Sequence, residues 1–263
     1  MGPMRKTAII VPCYNEAKRL KPEEFQKYAR QDRDVTFIFV NDCSTDNTRA
    51  VISGLCQSNQ DQMLSVDLPR NRGKAETVRA GFLHAFALNF DFIGYWDADL
   101  ATPLYEIDKF RDLLADRQIH MVLGSRIRLL NRRISRKPLR HYLGRIFATF
   151  ASLVLGVAVY DTQCGAKIFR NTSALQKVFR QPFTVNWIFD VEILARFILL
   201  GQKTDMPSLE ECAAEYPLEE WRDVPGSKIN CLSFITAIQE LIKIIWILRG
   251  PGSRQTISRL LAE

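Results

Sequence analysis

An α/β fold with a mostly parallel central sheet flanked by helices is predicted from three features of this chain. Short β-rich runs alternate with longer helical segments, the runs end in proline or polar residues, and those polar residues recur at the same end of each run. Alternation of this kind requires crossover helices, which cover both faces of a parallel sheet. Ligands of such sheets bind beyond the carboxyl ends of the strands.

The elements follow in order. Thr7–Val11 is a β-rich run closed by Pro12, and Val35–Val40 is closed by Asn41 and Asp42. Leu64–Leu68 is a weaker run, followed by Phe92–Trp96 and His120–Leu123. Helical segments are predicted over Lys21–Arg30, Asp46–Gln57, Lys74–Ala87 and Leu104–Asp116. Beyond Arg126 the pattern changes to a basic connection and the apolar stretch Tyr142–Val159. A strand at Ala166–Phe169, a helix at Asp190–Leu199, a polar edge around Glu210–Tyr216 and a last helix from about Asn230 complete the chain.

The 263 residues suit one large α/β domain, and 47% apolar with 25% charged residues is an ordinary globular composition. The net charge of +7 is uneven: between Arg117 and Tyr160 there are nine Lys or Arg residues and no Asp or Glu. Such a block attracts phosphate or an anionic surface, a solvated basic loop being the plain alternative. It lacks the interleaved aromatics of a single-strand groove, so nucleic acid is not an expected partner. The six cysteines show no metal-ligand spacing, and the N-terminus lacks the apolar core of a signal peptide; reduced thiols in the cytoplasm are expected. Ile146–Tyr160 is uncharged but short for a membrane span, and Cys231–Leu248 is interrupted by Gln239, Glu240 and Lys243. Each is read either as a core helix or as a helix lying on a membrane surface.

Motifs stand at the strand ends. Asp97-Ala98-Asp99, after Trp96, concentrates negative charge where a buried strand stops. Mg²⁺ or Mn²⁺ takes few protein carboxylates and completes its shell with phosphate oxygens and water, so this pair is the metal candidate; helix capping is the alternative. Pro12, Tyr14 and Glu16 offer a ring to stack on a base and a carboxylate for a ribose or base, or simply form a turn. In Asn41–Thr48 the Ser, Thr and Asp46 side chains suit a helix cap. Asp42 precedes them and is read as free to face the rim, where it would accept the imide N–H of uracil or the N1–H/N2–H₂ edge of guanine. Gly73-Lys74 opens a helix, whose free N–H groups attract phosphate, but it lacks full P-loop spacing. Asp161, opening a Gly-containing turn, is read as structural or as an acceptor-side residue. Glu219–Lys228 combines Trp221, Arg222, Lys228 and a Pro-Gly break, and is read as a mobile closing loop or a surface turn. His84, His120 and His141 show no catalytic spacing.

Taken together, VPCYNE, VNDCSTDNT, NRGKAETVRAGF, DADLATP, GSR, DTQCGAKIF and RDVPGSK resemble the family 2 glycosyltransferases of the GT-A fold, and within them the dolichyl-phosphate (polyprenyl-phosphate) glucose and mannose synthases. The resemblance runs from about residue 8 to 228. It implies a single GT-A domain over 1–263, with a nucleotide-sugar-binding half, 1–125, and an acceptor-side half, 126–263, carrying C-terminal helical elements. It implies inverting transfer of a hexose from a nucleoside diphosphate sugar to a polyprenyl or dolichyl phosphate, with Mg²⁺ or Mn²⁺. Carried over by position, Pro12, Tyr14, Glu16 and Asp42 would hold the nucleoside, and Lys74, Asp97 and Ala98 would lie along the nucleotide sugar. Asp99, with Asp97 beside it, would ligate the metal, and Arg222 and Lys228 would grip the diphosphate. Arg126 and Arg140 would face the acceptor phosphate. Ala101 stands where many mannose synthases have a metal-ligating Gln, which favours UDP-glucose over GDP-mannose.

A lipid phosphate is already an anion and needs orientation by arginines, not deprotonation. Transfer to a sugar hydroxyl would need a general base, for which Asp161 is the candidate. A non-catalytic protein binding acidic lipid or nucleic acid is the third reading. The sequence reading puts the protein in the cytoplasm, peripheral at the membrane face.

Overall fold

The computed structural model describes residues 5–135, 138–224, 231–250 and 252–261, and of 138–141 and 231–235 the backbone alone. In chain order the elements are β1 (Thr7–Cys13), α1 (Pro22–Gln31), β2 (Val35–Asn41), α2 (Thr48–Ser58), β3 (Met63–Asp67), α3 (Lys74–Phe86), β4 (Phe92–Trp96), α4 (Glu106–Leu113) and β5 (Met121–Ser125). Then come β6 (Arg133–Ser135), α5 (Pro138–Leu155), β7 (Ala166–Arg170), α6 (Ser173–Arg180), α7 (Phe189–Gly201), α8 (Leu209–Cys212), β8 (Ala213–Pro217), β9 (Glu220–Arg222), α9 (Cys231–Arg249) and α10 (Gly252–Leu261).

A seven-stranded sheet runs in the order β3-β2-β1-β4-β7-β5-β8. Its neighbours pair in parallel except where β7 meets β4 and β5. Because β7 runs backwards, its amino end lies at the same rim as the carboxyl ends of the others. Side chains alternate across the strands into two apolar layers, as the period of a strand requires. Ile9, Val11, Phe37, Phe39 and Trp96 face one layer; Ile10, Ile38, Val40 and Tyr95 face the other. With both faces covered, the strands are continuous apolar runs, which is why they were legible.

Several expectations are corrected. The stretch after Arg126 is not a plain connection: Arg133–Ser135 form β6, paired in parallel with β9. Glu219–Lys228 is therefore not a free loop as far as Arg222, since Glu106 Oε1 accepts the amides of Glu219 and Glu220 at 2.6 and 3.0 Å. The last segment divides at Gly250 into α9 and α10. α5 and α9 are neither wholly core nor wholly surface. Phe147, Ala151, Leu241, Ile244 and Ile247 are buried, whereas Tyr142, Ile146, Phe150, Leu153, Ile238, Ile242, Ile245 and Trp246 are exposed. No helix among the described residues is long and apolar enough to cross a membrane.

Candidate active site at the carboxyl rim of the sheet

The loops after β1 and β2 are laced together. Asn15 adopts φ +55°, a left-handed conformation that Asn tolerates better than most residues. Its N–H donates to Ser44 Oγ at 3.1 Å, and its Oδ1 accepts the Thr45 amide at 2.9 Å. Glu16 N–H donates to Thr48 Oγ1 at 2.7 Å, and Asp46 accepts the Ala17 amide at 3.2 Å and the Thr48 amide at 2.9 Å. This brings Tyr14 and Glu16 beside the end of β2. Glu16, buried, is paired with Arg19, whose Nη1 stands 4.0 Å from Asp99 Oδ2.

Asp42 stands at the same rim but is not free. It is 2% exposed, and its oxygens accept the amides of Arg72 and Gly73 at 2.7 and 2.9 Å. The carboxylate expected to face a base also fixes the turn before α3. Gly73 has φ +81°, a conformation that suits glycine, and the next residue, Lys74, reaches Asp97 Oδ1 at 2.5 Å. Two cations thus link four carboxylates from different parts of the chain: Arg19 joins Glu16 to Asp99, and Lys74 joins Asp97 to the turn held by Asp42.

The β4 end is rigid. Trp96 Nε1 donates to the Thr102 carbonyl at 2.8 Å, Ala101 N–H to Asp99 Oδ1 at 3.1 Å, and Asp97 N–H to the Gly165 carbonyl at 3.0 Å. A Cβ at Gly165 would stand 1.9 Å from Asp97 Oδ2, so that glycine makes room for the carboxylate. Ala98 is buried in the layer of Trp96 and Phe110, so its methyl is in the core and its main chain is the part that can meet a ligand. Burial, and then the charge of Asp97, push the Asp99 carboxyl above its ordinary value. A cation would relieve both effects. Among the described residues no cluster of three or more His, Cys, Asp or Glu could hold a metal by itself. The site therefore fits a hard cation that takes a few carboxylate oxygens and draws the rest of its shell from a diphosphate and water.

Across the Gly165 turn lies a second charged group. Arg126, just past β5, donates from Nε and Nη2 to the two oxygens of Asp161 at 2.6 and 2.8 Å, and lies 5.4 Å over the Trp221 ring. Asp161 also accepts the amides of Arg126 and Gln163 at 3.1 and 3.2 Å. Four hydrogen bonds therefore engage its oxygens and hold it against Arg126. Glu215 on β8 accepts the Tyr160 and Asp161 amides at 2.7 and 2.9 Å, and burial raises its carboxyl. Arg222 is exposed and paired with Glu220, while its N–H donates to the Ala101 carbonyl at 3.0 Å beside the acidic motif. Arg140 lies in the first turn of α5 with its side chain outside the described residues, and Lys228 lies outside them altogether.

Arg19, Glu106, Glu215, Lys167 and Asp190 are rim-supporting residues that sequence reasoning does not single out. Lys167 lies within the DTQCGAKIF motif, but its partner Asp190 is remote in sequence.

The model of the family described as glycosyl transferase family 2 matches residues 8–179. The chain belongs to glycosyl transferase family 2. Among curated members, a dolichyl-phosphate beta-glucosyltransferase of Trichomonas vaginalis is 30% identical, covering 90% of this chain and 70% of that one. The dolichyl-phosphate beta-glucosyltransferase of Homo sapiens is 31% identical over 87% of this chain and 71% of its own. Among solved structures, glucosyl-3-phosphoglycerate synthase from Mycobacterium tuberculosis in complex with UDP aligns with a TM-score of 0.60 at 17% identity, covering 92% of this chain and 80% of that one. A mannosyltransferase from Pyrobaculum calidifontis in complex with GDP-Man and Mn²⁺ aligns at 0.59 and 17%, covering 98% and 74%. The architecture of this family 2 member is thus the GT-A fold, and the protein is a glycosyltransferase.

Proposed function

We propose that this protein is an inverting hexosyltransferase that moves a sugar from a nucleoside diphosphate donor, UDP-glucose first and GDP-mannose next, to a polyprenyl or dolichyl phosphate. One observation carries the reading: the acidic cluster and the Arg126–Asp161 pair flank the same turn, through Gly165 on one side and Asp161 on the other. Carboxylates for a cation-bound diphosphate and an arginine, oriented by its own carboxylate, for an anionic nucleophile are then neighbours. The printed activities of the curated relatives, and the UDP and GDP-Man complexes of the structural neighbours, support the same assignment.

In this reading Pro12, Tyr14 and Glu16 line the nucleoside, and Asp42 shapes that wall by holding the Arg72–Gly73 turn. Asp99 and Asp97 hold Mg²⁺ or Mn²⁺, which when bound neutralises charge on the leaving diphosphate. Lys74, Arg222 and Lys228 add cations along the diphosphate. Arg126 and Arg140 orient the acceptor phosphate, and Asp161 fixes Arg126. A phosphate monoester needs no base, in keeping with an Asp161 held against Arg126; transfer to a hydroxyl would need that base. The exposed apolar ridges of α5 and α9 are proposed to rest on the bilayer that carries the acceptor. Lys243 and Arg249 flank them, and Glu240, the acidic residue of these helices, is buried.

The test is turnover of labelled UDP- and GDP-sugars with polyprenyl phosphate and, separately, with sugar alcohols. Lipid-linked product from a UDP-hexose is expected. Product on hydroxyl acceptors alone would overturn the assignment.

A further inference from the structure

The Lys167 ammonium is 1% exposed, on the strand that separates β4 from β5, opposite Tyr95 on one side and Leu123 on the other. An ammonium has three N–H donors and no acceptor. Here they go to the Thr162 carbonyl at 3.0 Å, the Cys164 carbonyl at 2.6 Å and Asp190 Oδ1 at 2.6 Å. Tyr95 Oη donates to the same Asp190 oxygen. Asp190 lies in the first turn of α7, where the helix dipole favours a carboxylate.

A buried Lys–Asp pair inside an apolar layer contributes little net stability relative to an apolar replacement, so stability alone is a weak reason for it. Two of the three bonds point elsewhere, at main-chain carbonyls of the turn from Asp161 to Gly165. That turn touches both sides of the site. Asp161 holds Arg126 with both oxygens. The Gly165 carbonyl accepts the Asp97 amide, and its missing side chain makes the space that the Asp97 carboxylate fills.

We propose that Lys167 is a positioning residue: it pins the Thr162–Gly165 turn to α7 and thereby sets the spacing between Asp97 on the donor side and the Arg126–Asp161 pair on the acceptor side. The inference rests on the transferase reading above. Loss of the pin shifts both partners of an in-line displacement, and a misplacement of about 1 Å is worth on the order of 100-fold in rate. The nucleoside wall, built from the ends of β1 and β2, is untouched.

Lys167→Met leaves Asp190 buried without its ammonium partner, so the informative protein is the double variant Lys167→Met/Asp190→Asn. Four quantities are read beside wild type: melting temperature, UDP affinity in EDTA (which reports the nucleoside wall without the metal that Asp97 helps to hold), transfer rate, and the ratio of transfer to donor hydrolysis by water. The expected result is a melting temperature recovered from that of Lys167→Met and UDP affinity within about twofold. Transfer is expected to be at least about 30-fold down, with the balance tilted toward hydrolysis. A double variant that regains transfer along with its melting temperature overturns the proposal, as does an equal fall in UDP affinity and transfer. Should the double variant not fold, Lys167→Gln keeps two donors and is read the same way: transfer falling more than UDP affinity supports the pin, and equal falls sink it. The split is read on whichever acceptor wild type uses, polyprenyl phosphate or a sugar alcohol, so a wrong acceptor assignment shows in the wild-type control and the pin shows in the variants.

Discussion

A methyl group at position 165 has nowhere to go, because Asp97 Oδ2 would lie 1.9 Å from it. Gly165→Ala must displace the carboxylate or the turn, and a steady-state assay is expected to show transfer down by about 100-fold or more. Gly54 on the exposed face of α2 is the contrast, with nothing within 4 Å of a Cβ built there. Gly54→Ala should add about 0.5–1 kcal/mol of stability in urea unfolding through helix propensity, with transfer unchanged. Protonation acts at the same scale. Burial, then Asp97, raise the Asp99 carboxyl from its ordinary 3.8. In the metal-free protein that raised group favours the protonated fold, so its contribution to stability is present at low pH and is lost as pH rises through the raised value. A cation takes only the ionised form. Mn²⁺ affinity, titrated between about pH 4 and 7, is therefore expected to fall on acidification with a midpoint above the usual Asp range. Asp99→Asn should remove that midpoint. The site carboxylates were legible because chain order alone delivers strand ends to one rim. Arg19 and Asp190 were not, since nothing in a linear pattern says which cation will bridge Glu16 to Asp99 or which acid will meet a buried lysine. The amides that Asp42 accepts were not legible for a related reason: they belong to a turn after β3, remote in sequence.

At the scale of elements, α9 is fastened by one acid. Glu240, 6% exposed, accepts the amides of Asn186, Trp187 and Ile188 at 2.9, 2.9 and 3.0 Å and so caps the entry to α7. Glu240→Ala strands those amides and should cost about 3–5 kcal/mol in denaturant unfolding, with Glu240→Gln costing less because its carbonyl still accepts. In sequence Glu240 looked like an interruption of an apolar run; the structure makes it the anchor. The outward ridges of the same helices lead to a second expectation. Phe150→Glu and Ile242→Glu change side chains that are 55% and 62% exposed, so melting should be nearly unaltered. Co-sedimentation with vesicles rich in anionic lipid should nonetheless drop several-fold, and unaltered co-sedimentation would remove α5 and α9 from the membrane contact. Long buried strands and amphipathic helices carry enough residues to show their period. β6 and β9 do not, being three residues each and held by Glu106 and by one another.

Across the whole molecule, one sheet collects side chains from both halves of the chain onto one rim. The first half supplies Glu16, Asp42, Lys74, Asp97 and Asp99 from successive strand ends. The second contributes β8 at the edge and the reversed strand β7 between β4 and β5, and β7 brings the Asp161–Gly165 turn against Asp97. Alternation in the sequence announced the parallel part; the reversal at β7 was not legible, because its apolar run reads the same in either direction. The account stands on a cation-bridged diphosphate held by these carboxylates, and calorimetric titration of UDP into wild type and Asp99→Asn, each with Mn²⁺ and with EDTA, tests it most directly. Wild type should bind UDP at least about tenfold more tightly with Mn²⁺ than with EDTA, and Asp99→Asn should lose that difference. Equal affinity in all four titrations would contradict it.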